Sequence, residues 1–147
     1  MKLYVKYREV TTSSYFEDKA YGDWNETRNF SLLGVCLEKP ERVAQYEEFE
    51  VSPNIEADVG NTAVVLYMIY STGDSFGHGT GYGEILWVFP DGASAVAAMR
   101  AVQKQENEYT LEFDDGFGNI IKLSNPAAGY FEDLTLVDTE TFKITRT

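Results

Sequence analysis

From residue 2 the chain reads KLYVKYREV, with Leu3, Val5 and Tyr7 recurring at every second position. That alternation predicts a strand with one face on a core. FSLLGVCLE (30–38) is apolar without alternation and predicts a buried strand. Between them, TTSSYFEDKAYGDWNET (11–27) is polar and aromatic and keeps no period, which reads as a long loop. KPERVAQYEEF predicts a turn or short helix near Pro40, and EFEVSPN (48–54) a strand running into a turn at Pro53–Asn54. The strongest signal is TAVVLYMIYST (62–72). It is β-branched, aromatic and apolar on both faces, so it belongs at the centre of a sheet. EILWVF (84–89) gives the next strand.

One helix follows. Asp91 stands as an N-cap before GASAVAAMRAVQKQ, where Val96, Met99 and Val102 recur at helical spacing on an alanine-rich face. YTLEF (109–113), IIKL (120–123) and LTLVDTETFKIT (134–145) complete the strands, and Asp115–Gly116 marks a hairpin turn. Strands and helices do not alternate along the chain. The order predicts a single α+β domain over residues 1–147, a mostly antiparallel curved sheet with one main helix (91–105) packed on it.

A chain of 147 residues buries about 70% of its unfolded surface, so a core forms without disulfides. The longest apolar run, Ala63–Tyr70, has 8 residues, against the roughly 20 that a spanning helix needs. MKLYVKYREV lacks the apolar centre of a signal peptide. The single Cys36 lies in an apolar run and reads as a small buried hydrophobe. Together these features lead us to expect a cytoplasmic protein.

Charge changes the picture. The chain carries 24 acids and 12 bases, for a net charge of −12. Residues 1–42 are balanced, whereas residues 43–99 contain no Lys or Arg and eight acids: Glu47, Glu48, Glu50, Glu56, Asp58, Asp74, Glu84 and Asp91. Such a stretch keeps the protein soluble. It also repels nucleic acid and anionic membranes and attracts basic surfaces. The expected partner is therefore a protein with a basic surface, with no direct nucleic acid and no membrane.

STGDSFGHGTGYGE (71–84) holds five of the twelve glycines and the single histidine. A dinucleotide-binding loop opens a helix, but a strand follows here. A P-loop needs a Lys followed by Ser or Thr, and the nearest cations are Arg42 and Arg100. Ser75 and His78 stand three residues apart, too close to serve as nucleophile and base without an unusual turn. Asp74, His78 and Glu84 supply metal-capable side chains in no established ligand spacing. We therefore expect no catalytic residue, no metal and no cofactor, although a working pair of carboxylates is invisible to sequence. The loop then reads as a hairpin connection that presents aromatics between glycines as a contact surface. The alternative is a sponge for a signalling nucleotide on the same loop. The candidate binding residues are Glu47, Glu48, Glu50, Asp74, Phe76, His78 and Tyr82.

VVLYMIYSTGDSFGHGTGYGEILWVFPDGASAVAAM, followed by AAGYFEDLTLV, resembles small bacteriophage-encoded accessory proteins with a GDSFG-type loop. The resemblance covers residues 62–102 and 127–137, leaves the first 60 residues outside, and carries no catalytic motif. It implies a phage accessory role in which host machinery, defence nucleases included, is bound and blocked, in some cases by imitating the charge of DNA. The resulting expectation is a non-enzymatic acidic binding protein. It would inhibit or sequester a host protein through its acidic surface and the 71–84 loop.

Overall fold

The apolar run at 62–72 organises the architecture. The computed structural model describes residues 1–16, 23–42, 44–71, 81–128 and 136–147, with backbone alone at 11–16, 23–28, 71 and 81. In it, β4 (Thr62–Ser71) lies between β5 (Gly81–Phe89) and β8 (Leu136–Lys143), antiparallel to both. A second sheet has the order β2–β1–β3, formed by β1 (Lys2–Phe16), β2 (Asp23–Cys36) and β3 (Gln45–Glu50). β6 (Thr110–Asp114) and β7 (Ile120–Ser124) make a hairpin, and α1 (Gly92–Gln103) precedes it. The class is α+β, and the ladders between the described strands are antiparallel. The strands divide among three sheets instead of forming one.

Burial explains why β4 is apolar on both faces. Ala63 and Val65 point into a core shared with Leu3, Val5, Val35 and Phe49 of the β2–β1–β3 sheet. Val64, Leu66 and Met68 point the other way, into a core shared with Ala95, Ala98 and Val102 of α1 and with Leu111 and Phe113 of β6. The sheet containing β4 is thus the middle layer of three. β-Bulges at Leu33 and Leu86 interrupt the β1–β2 and β4–β5 registers, and such insertions bend strands locally.

The helix starts where the sequence places it. The Asp91 side chain accepts a hydrogen bond from Ser94 N–H at 2.7 Å, satisfying one of the free donors of the first turn. The buried face differs by one position from the sequence reading. Ala95, Ala98 and Val102 are buried, while Val96 and Met99 are half-buried. The methyl side chains let the helix sit close to the sheet, so the small residues take the centre of the contact and the larger ones its flanks.

Residues 11–27, read as a loop, are largely strand. β1 continues to Phe16 and β2 begins at Asp23, in regular register from Tyr7↔Leu32 to Phe16↔Asp23. Period-two alternation records one face lying against a core. On its other side β1 is paired by β3 only as far as Tyr7. Beyond that point the signal left in the sequence is composition, with β-branched Thr11 and Thr12 and aromatic Tyr15 and Trp24 favouring strand.

Candidate functional site

β3 is an edge of one sheet and β5 an edge of the other, and the two edges meet. Phe49 of β3 stands edge-on to Trp87 of β5, with ring centroids 5.7 Å apart and planes at 78°. Further along, Phe30 of β2 lies between Tyr7 at 5.6 Å and Tyr67 at 6.3 Å. The Phe30 ring rests directly on the backbone of Gly83, where an added Cβ would stand 2.0 Å from the ring. Gly83 is therefore required by close approach of two layers. Gly83→Ala should cost about 1–3 kcal/mol by overpacking, because the clash falls on the root of the Phe30 ring and that ring is flanked by Tyr7 and Tyr67. Urea denaturation checks this, and an unchanged midpoint would remove the packing role.

The carboxylates around this seam come from three strands. Strand periodicity splits the acidic trio of β3. Glu47 shares the inward side with Phe49, whereas Glu48 and Glu50 are exposed. Both exposed acids are already engaged. Glu48 accepts from Lys2 Nζ and from the Tyr4 hydroxyl, each at 3.3 Å. Glu50 accepts from the Met1 ammonium at 2.6 Å, and that hydrogen bond holds its carboxyl below the usual range.

Glu47 behaves in the opposite way. Burial, reinforced by the nearby Glu84 charge, pushes its carboxyl up to about 7. Burial also raises Glu84, with the Glu9 charge adding to it. Tyr7 is raised by burial and by the charges of Glu47, Glu9 and Glu84 together. The structure thus brings Glu9, Glu47 and Glu84 around Tyr7, and the described residues place no cation against Glu47 or Glu84. Sequence reasoning named Glu47 and left out Glu9 and Tyr7. The signal for them was present, because Glu9 continues the alternation of Leu3, Val5 and Tyr7. Carboxyls in this state either exchange a proton near neutral pH or take up a cation.

Of the other candidates, Tyr82 is half-buried and stacks on Tyr70 across the β4–β5 ladder, with centroids 5.6 Å apart and planes at 21°. Asp74, Phe76 and His78 lie outside the described residues, as does most of the 71–84 stretch. Cys36 is buried, and its thiol donates to the Glu38 carbonyl at 3.3 Å.

A cavity of about 230 Å³ lies away from this seam, between the end of α1, β4 and β8, with Met68, Val102, Leu111 and Val137 among its walls. Its Asn125 is committed to the fold, donating to the Glu108 carbonyl and accepting from Ala127 N–H, each at 3.0 Å. Among the described residues, no three His, Cys, Asp or Glu side chains form a group able to hold a metal ion. No helix among them is long and apolar enough to cross a membrane. No protein-family model, no curated protein and no solved structure matches the chain.

Proposed function

We propose that this is a non-enzymatic binding protein that engages a basic protein surface through the acidic seam between β3 and β5. The observation that carries this reading is the half-buried pair Glu47 and Glu84, raised by burial with no described cation against either. Holding such carboxyls together disfavours their ionisation, and a Lys or Arg side chain arriving from a partner would relieve that penalty. The absence of Lys and Arg across residues 43–99 supports the same sign of partner. The bacteriophage resemblance of residues 62–102 and 127–137 directs the proposal to a host protein. A defence nuclease with a basic nucleic-acid surface fits this description, and the acidic seam would occupy that surface in place of nucleic acid.

Affinity retention from a bacterial lysate at low and high salt, with mass spectrometry of the retained proteins, tests the proposal. A basic protein should be held at low salt and lost at high salt, because surface charges are screened beyond about 10 Å at roughly 0.1 M. Glu47→Lys with Glu84→Lys should abolish retention. Reversal of Glu48 or Glu50 should matter little, since Lys2 and the Met1 ammonium already offset those charges. Retention that ignores both salt and the Glu47 and Glu84 reversals would rule out the acidic seam as the contact.

A further inference from the structure

β1 outruns its neighbour. β3 pairs with it from Lys2 to Tyr7, and no described strand flanks it on that side beyond Tyr7. At this point the Glu9 N–H turns away from β2 and is met by the Gln45 side-chain oxygen at 2.8 Å. The β1–β2 register runs without a bulge from Tyr7 to Phe16. By period two, the backbone N–H and C=O groups of Thr11, Ser13 and Tyr15 therefore face the same side, the one that no described strand flanks. A two-stranded ribbon is marginal in water, and a further strand is what gives it stability.

The chemistry of that edge separates it from the others. Proteins protect open edges with charges, prolines or short length. β3 carries Glu47, Glu48 and Glu50, β2 carries Asp23, Glu26 and Arg28, β5 carries Glu84, and β8 carries Asp138, Glu140 and Lys143. Val10–Phe16 reads VTTSSYF, with no charge, no proline and strong β propensity. In a chain of net charge −12, a neutral strand adds no like-charge repulsion of its own to contact with a second copy. An antiparallel pair of identical strands is also self-complementary about a twofold axis.

We propose that residues 10–16 of β1 form a homodimer edge, pairing antiparallel with the same segment of a second copy. Two ribbons would join into one four-stranded sheet, with the outward groups of Thr11, Ser13 and Tyr15 making the new ladder. This association is independent of the acidic seam, and salt acts on it in the opposite direction. Screening weakens the repulsion between two chains of net charge −12, so the dimer should tighten as salt rises.

Light scattering and sedimentation of the purified chain from low to high micromolar concentration test the proposal. The wild type should show twice the chain mass, more completely at higher salt. Ser13→Pro removes an outward N–H without touching the β1–β2 ladder, a position where an edge strand tolerates proline. It should give a monomer with an unchanged far-ultraviolet spectrum. Ser13→Lys places charge on the edge and should do the same, and it decides the matter if the proline variant does not fold. A wild type that stays monomeric throughout, or a dimer that survives Ser13→Lys, overturns the proposal.

Discussion

Replacing Trp87 with alanine should cost about 3–5 kcal/mol of folding stability. The thermal midpoint should fall by on the order of 10 °C for a domain of this size. Among the described residues, Trp87 is the partly buried side chain that packs against both cores. It also anchors the meeting of β3 and β5 through Phe49. Its removal opens a cavity that neither layer can fill alone, because each is pinned by its own strand ladder. Trp87→Phe, which keeps an aromatic against Phe49, should recover much of the loss. Equilibrium urea denaturation of the three proteins, followed by circular dichroism, measures both effects. A Trp87→Ala midpoint matching wild type would mean that the ring bridges nothing.

Stability should fall as the pH rises from mild acid to neutrality, and Glu47→Gln should flatten that fall. The carboxyl of Glu47 titrates near 7 in the folded state, against 4.5 ordinarily. A group whose folded pKa is raised binds its proton more tightly in the folded chain. Below about 4.5 it is protonated in both states and contributes nothing to the pH dependence. Between that value and about 7 the folded state holds more protons than the unfolded state, so stability declines with rising pH and the full penalty is reached above it. Glu84 shifts in the same direction. A tenfold change in proton affinity is worth about 1.4 kcal/mol. Because the Glu47 carboxylate still reaches water, screening reduces the expected loss to about 1–2 kcal/mol. Glu50, lowered by the Met1 ammonium, acts oppositely and loses its contribution as the pH falls through its folded value. Denaturation midpoints of wild type and Glu47→Gln from pH 5 to 8 should converge in acid and separate in favour of the variant at neutrality. Parallel profiles would show that Glu47 is solvated like an ordinary carboxylate.

Legibility in the sequence followed burial. β4 could be read because two cores act on it at once, leaving eight apolar residues in a row from Ala63. The helix could be read because its cap is a local hydrogen bond, Asp91 to Ser94. Its buried face was off by one position, since alternatives spaced three and four residues apart all look apolar in an alanine-rich helix. The outer reach of β1 and β2 was missed because residues 11–27 keep no hydrophobic period, and the register that pairs them is not written in composition. In the acidic trio, alternation already implied that Glu47 and Glu48 point to opposite sides. Nothing in the sequence reveals that Lys2 lies across from Glu50 and Tyr4 across from Glu48, which puts the Met1 ammonium and Lys2 Nζ within reach of these two carboxylates, because that follows from the β1–β3 register. The approach of Glu84 to Glu47 is likewise a property of two sheets meeting.

Two layers of this protein are fastened together by residues 110 positions apart in the chain. Ile144 is buried in the first core, and its N–H donates to the Asn61 carbonyl at 2.8 Å. Thr145 joins the end of β2 by an isolated parallel bridge to Cys36, its N–H donating to the Val35 carbonyl, and Leu37 and Glu38 donate to the Thr145 and Arg146 carbonyls, all at 3.0 Å. β8 also supplies one flank of β4. Without the segment after residue 136 the chain still holds most of the first core, but it lacks this fastening of β2 and the second flank of β4. The layers are fully fastened only once that segment has joined β2 and β4. Such distant pairings also belong to the slower, millisecond-to-second class of folding.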